Sequence, residues 1–167
     1  MKTLIGLFFA FLLFASTTCR ADVLVLSHGL KLEYPAPTLI SHTGQSLIFK
    51  YADWSLVHEV VNPATIYAKV DLTGIESLFI KSIFDEKERD KLPAWLASLS
   101  SEQAKELGVT GRTTGKKTVG EAELLSVFDE NRASGHIYLF EGSRIHHFVV
   151  QGQKGAFKSI IDNIKER

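Results

Sequence analysis

Residues 136–149 alternate in polarity about Gly142-Ser143, and this constrains the fold more than any other stretch of the chain. A two-residue connection with Gly at its first position suits a tight hairpin turn, whose backbone needs a positive φ there. That register sets Glu141 opposite Arg144, Phe140 opposite Ile145, Tyr138 opposite His147 and His136 opposite Val149. Because successive side chains of a strand point to opposite faces, His136, Tyr138, Phe140 and His147 share one face. His146 joins Ile137, Leu139 and Phe148 on the other.

The remaining periodicities place elements around this hairpin. Val23–Leu26 and Leu30–Tyr34 read as strands that end at Pro35 and Pro37, and Ser46–Tyr51 reads as another. The segment 53–69 fits a helix face by spacing and a strand by its β-branched content, so both stay open. Thr73 and Glu76 have capping-box spacing, which predicts a helix start, with Ile75, Leu78, Phe79 and Ile83 on its apolar stripe and 85–91 as a solvated last turn. Pro93 opens a further helix with Trp95, Leu96 and Leu99 facing inward; Ser100 and Gln103 repeat the capping spacing, and Gly108 is a stop. Residues 108–118 read as a polar loop, 121–128 as a strand, and Phe157, Ile160, Ile161 and Ile164 as one face of a last helix. The expected fold class is α+β: an antiparallel or mixed sheet covered by helices, with a central helical block and a C-terminal hairpin plus helix.

The N-terminus has the order of a secretory signal peptide: Lys2, an apolar run from Leu4 to Phe14, then a polar stretch ending in Cys19-Arg20-Ala21. The apolar run is far short of the roughly 20 residues that span a bilayer as a helix. The division expected is a signal peptide over 1–21, cleaved after Ala21, and a single α+β domain over 22–167, periplasmic or secreted. A lipoprotein at Cys19 is the rival; lipidation signals carry Leu at −3 and Gly or Ala at −1, where this chain has Ser16 and Thr18.

Removing 1–21 takes away Lys2 and Arg20 and no acid, so 19 basic and 19 acidic residues become 17 and 19, a net charge of −2. A domain so close to neutral has no electrostatic footprint for nucleic acid or for an anionic membrane surface. Cleavage also removes the chain's one cysteine, and with it thiol catalysis and disulfides.

The first strand running into Tyr34-Pro35, and the hairpin through Arg144-Ile145-His146-His147-Phe148-Val149-Val150 followed by the 157–164 helix, resemble the PsbP-like fold. That fold is seen in the extrinsic photosystem II subunit and in bacterial exported proteins of the DcrB type. The resemblance covers about a quarter of the chain. It implies a binding or accessory protein more than an enzyme, and carries over no catalytic residue.

Motifs of known chemistry fail on spacing. Gly111 and Gly115 are four apart and Thr118 falls one place late, so 111–118 lacks the cradle of a phosphate loop. His58-Glu59 begins a zinc-protease pattern, but Asn62 stands where the second histidine belongs. No serine occupies a Gly-x-Ser-x-Gly elbow. The candidate ligand-binding residues are therefore His136, Tyr138 and His147, whose imidazoles can share a metal or an anionic ligand across the hairpin face. Half-buried strands also carry histidine for packing alone.

The expected function is a non-enzymatic exported binding or accessory protein for a protein or small-molecule ligand, with no cofactor, no resident metal and no stable membrane insertion. The alternative is an exported hydrolase-type enzyme with a dispersed site, using His28, His42, His58, His136 or His147 as base. A pocket gathering two of these histidines with an acid and a hydroxyl favours the enzyme, and a flat aromatic patch favours binding.

Overall fold

The computed structural model of the chain describes residues 21–64, 70–110 and 113–167. The signal peptide expected over 1–21, Cys19 with it, lies outside these residues except for Ala21, as do Gly111 and Arg112.

Ten strands and four helices follow in order: β1 (Ala21–Val25), β2 (Leu30–Pro35), β3 (Leu39–Thr43), β4 (Ser46–Lys50), β5 (Ser55–Val60), α1 (Glu76–Phe84), α2 (Glu86–Arg89), α3 (Ala94–Glu106), β6 (Thr114–Val119), β7 (Ala122–Asp129), β8 (Ser134–Glu141), β9 (Arg144–Gln151), α4 (Lys154–Asn163) and β10 (Ile164–Glu166). A seven-stranded antiparallel sheet runs β3-β4-β5-β9-β8-β7-β6, and a small sheet runs β1-β2-β10. The fold is α+β, as the periodicities predict.

The β8–β9 hairpin has the expected register, Glu141 with Arg144 through His136 with Val149, and Gly142 turns it at φ +57°. Alternation then gives the large sheet two apolar faces. One carries Leu56, Ile137, Leu139, Phe148 and Val150, which pack with Leu30, Leu32 and Tyr34 of the small sheet and Phe157 and Ile160 of α4. The other carries Leu125, Tyr138, Phe140 and Ile145, under Phe79, Ile80 and Ile83 of α1 and Leu96 of α3. Each such side chain stabilises the fold by about 1.5–3 kcal/mol on burial. Gly135 lets α4 close on the sheet, because a Cβ there would come within 2.2 Å of the Phe157 ring.

Several local expectations fail where a tertiary partner outcompetes a local one. The capping box does not form: the Thr73 hydroxyl donates to Asp71, and α1 starts at Glu76 with no side-chain cap, leaving Glu76 Oε2 buried without a hydrogen bond. Ser100 does not begin a new helix. It sits inside α3, fully buried, and bonds Ser82 of α1 at 2.7 Å.

Trp95 faces outward, 57% exposed, because the inward stripe of α3 runs through Leu96, Ser100 and Ala104. The charged run 85–91 is a separate short helix whose N-cap Asp85 accepts from the Lys87 amide, and Arg89 reaches back to the Ile83 carbonyl. The polar stretch read as a loop is β6 from Thr114, an edge strand against β7. The open segment 53–69 holds strand β5, between β4 and β9, and β3 is a further strand that its polarity did not announce. Gly108, at φ +70°, does end α3.

Candidate functional site

The strand pair β5–β9 sets the site. His58 lies opposite Phe148, Glu59 opposite His147 and Val60 opposite His146, so the doublets His58-Glu59 and His146-His147 each send one side chain to each face.

On the helix-covered face the side chains form a continuous chain. Ser46 Oγ donates to Glu59 Oε2 at 3.2 Å, His147 Nδ1 meets Glu59 Oε1 at 3.0 Å, and His136 Nδ1 lies 3.1 Å from His147 Nε2. The His136 and His147 centroids are 5.4 Å apart, longer than their nitrogen separation by about two ring radii, so the two nitrogens face each other along the line of centres. That is the geometry of an N–H···N hydrogen bond rather than of two lone pairs converging on a metal. Tyr138 stacks on His147 at 4.3 Å and 5°.

The tautomers of the neutral rings follow from the carboxylate. Glu59 can only accept, so a neutral His147 carries its proton on Nδ1 and offers the Nε2 lone pair; His136 then donates from Nδ1 and keeps its own lone pair on Nε2. Burial, and after it the neighbouring His147, lowers the His136 pKa to about 4, so the ring is neutral at pH 7. The hydrogen bond from His147 holds the Glu59 carboxyl below its ordinary range.

This chain floors a cavity of about 340 Å³. Glu59, His136, Tyr138 and His147 line it from the sheet, Ile80, Ile83, Gln103 and Leu107 from the helical layer, and Gln45 and Asn62 from the connections beside β5. A second cavity of about 230 Å³ shares His136 and Leu107 with it and adds Glu106, Asp129, Arg132 and Ser134.

The opposite face carries a matching chain. Ser27 Oγ donates to Glu141 Oε1 at 2.6 Å, Glu141 Oε2 stands 3.8 Å from His146 Nε2, and His146 Nδ1 bonds His58 Nε2 at 3.1 Å. At 3.8 Å the carboxylate attracts the ring without a hydrogen bond, and His146 Nε2 is buried with none. His146 is 1% exposed and His58 stacks on Phe148 at 4.7 Å. Burial, with the His146 charge second, lowers the His58 pKa to about 4.

The structure thus brings the sequence candidates His136, Tyr138 and His147 together, and His58 with His146 on the reverse side. His28 and His42 are exposed and lie on neither chain. Sequence reasoning missed Glu59 and Ser46. A signal for Glu59 was present: the doublet His58-Glu59, taken with strand alternation and paired with His146-His147, gives one imidazole or carboxylate to each face. Among the described residues no group of three or more His, Cys, Asp or Glu is arranged to hold a metal ion. No helix among them is long and apolar enough to cross a membrane.

Neither a family model nor a curated protein sequence matches the chain. Among solved structures, that of cyanobacterial PsbP (CyanoP) from Synechocystis sp. PCC 6803 is similar over 92% of this chain and 96% of that one, at a TM-score of 0.47 and 10% identity. The likeness is one of fold. It brings no residue of the site with it.

Proposed function

We propose that the protein is an exported, periplasmic or secreted binding protein that takes a small ligand in the cavity floored by Glu59, His147 and His136. The observation that carries this reading is the cavity of about 340 Å³ with an ordered polar floor and apolar helical walls, the composition of a small-molecule site. Ligand-observed NMR of the protein against mixtures of small polar molecules tests it. Hits are expected to move the ring resonances of His136, Tyr138 and His147; hits that leave all three unmoved overturn it. Export is tested by mass spectrometry of the native N-terminus, expected at Asp22, with a diacylated Cys19 as the contrary result.

An acid–base enzyme is the second reading, favoured by one observation: the cavity gathers two histidines, an acid and the Tyr138 hydroxyl. Nucleophilic catalysis needs a hydroxyl on an imidazole. Here Ser46 bonds the acid, and both nitrogens of His147 are taken, one by Glu59 and one by His136. The reading that remains is His136 as a base toward a bound substrate. Binding that turns a ligand over at a rate abolished by His136→Phe supports it.

A further inference from the structure

The ligand class follows from the direction of the hydrogen bonds and the charge around them, on the reading that the cavity binds a small molecule. We propose that the two cavities that share His136 take a small organic ammonium ion, whose N–H groups donate to His136 and whose charge is balanced by the excess of acids among the lining residues.

Three observations carry this. Glu59 fixes every proton in its chain to point toward itself, so the chain ends on His136 in a lone pair, an acceptor that only a donor ligand satisfies. The charged residues lining the two cavities, among the described residues, are Glu59, Glu106, Asp129 and Arg132. Arg132 is already engaged, 3.6 Å from Asp129 and bonded to the Glu106 carbonyl, which leaves the acids in excess. The apolar side of the larger cavity, Ile80, Ile83 and Leu107, matches a short alkyl body on such an amine. An anion would meet an acceptor and a carboxylate at once, and each costs desolvation with nothing in return.

Protonation of His136 would reverse the logic, since it would become a donor. Burial, and after it the charge of the neighbouring His147, hold it neutral at pH 7. The other titratable groups facing it are His147 and Glu59 on the sheet and Glu106, Asp129 and Arg132 around the smaller cavity. The acids among them favour a cation while the ring is neutral.

The test uses three probes of one shape, propylammonium, propanol and propionate, titrated into the full-length chain as expressed and processed by its host, at pH 7 and low salt. Ring resonances of His136 and His147 report the site. Propylammonium is expected to shift them at a concentration at least tenfold below propionate, and Glu59→Gln to remove that preference. If Glu59→Gln fails to fold, His136→Phe takes its place, keeping a ring and deleting the acceptor; propylammonium should then lose about tenfold in affinity. Propionate binding as tightly as propylammonium overturns the ammonium assignment while the binding cavity stands. If none of the three moves either ring, the ammonium assignment falls; the cavity falls with it only where the mixtures of polar molecules give no hit at these rings either.

Discussion

Two chains of Ser, Glu, His and His lie back to back on β5 and β9, and only one ends in a cavity. Ser46, Glu59, His147 and His136 run along the helix-covered face, where Glu59 is 39% exposed and His136 opens into two cavities. Ser27, Glu141, His146 and His58 run along the other face, where His146 is 1% exposed beneath the small sheet and its loop. The residue types are the same, both chains draw on β5, β8 and β9, and the doublets are adjacent. What differs is the layer above. Apolar strands close tightly over one face, whereas α1 and α3 meet the other at a distance that leaves space beside β5. Chemistry that one face locks into the core, the other leaves beside a cavity.

The largest expected effect tests whether both chains resist protonation. His58 and His136 have folded pKa values of about 4 against 6.5 for the free ring, so the unfolded chain binds more protons between these values. Their contribution to stability is whole above pH 6.5, falls as pH drops toward 4, and has no further loss below that. Each pH unit between the folded and free values is worth about 1.4 kcal/mol per ring, so the two together take on the order of 7 kcal/mol. Urea denaturation from pH 7 to 4 measures it, and His136→Phe should remove the share of His136 and leave those of His58 and the buried His146. A flat profile in that range breaks the comparison.

The next effect separates the faces. His146→Ala removes a fully buried ring and strands the His58 Nε2, a cost of about 2–4 kcal/mol from cavity and unpaired group together. His147→Ala, at the floor of a cavity that water can enter, should cost roughly half as much in stability and lose ligand-induced shifts. Equal costs in urea melts would mean the two faces are equally sealed.

The smallest effect concerns the hydroxyls. Ser27→Ala breaks a 2.6 Å bond to Glu141 that ties the loop after β1 to the hairpin tip, worth about 1 kcal/mol. Ser46→Ala breaks a longer bond of 3.2 Å at a more open acid and should cost less than about 0.5 kcal/mol. Thermal melts of the two variants rank them, and the reverse order would place the sealed chain on the wrong face.

Much of this was legible in the chain. Alternation about Gly142-Ser143 yields the β8–β9 register residue for residue, and with it the shared face of His136, Tyr138 and His147. Gly108 marks the end of α3, and Phe157 and Ile160 mark the buried side of α4. The failures have one cause. Thr73, Ser100 and Trp95 carry local signals that were satisfied elsewhere, by Asp71 two residues back rather than Glu76, by Ser82 on another helix, and by solvent, and the capping pattern names none of those partners. β5 stayed ambiguous because a strand flanked on both sides keeps apolar residues on both faces, which blurs the period of two.

Sequence by itself determined the hairpin, the two faces of the sheet, the α+β class and the residue types available to a site. Those follow from alternation and turn chemistry, which act between near neighbours. Only the tertiary structure decided that Glu59 would meet His147 across 88 residues of chain and that His136 would end the relay beside a cavity. It also decided that the same motif on the reverse face would be sealed. Pairing of β5 with β9 and the height of the helical layer are long-range outcomes of packing, and no local pattern encodes them.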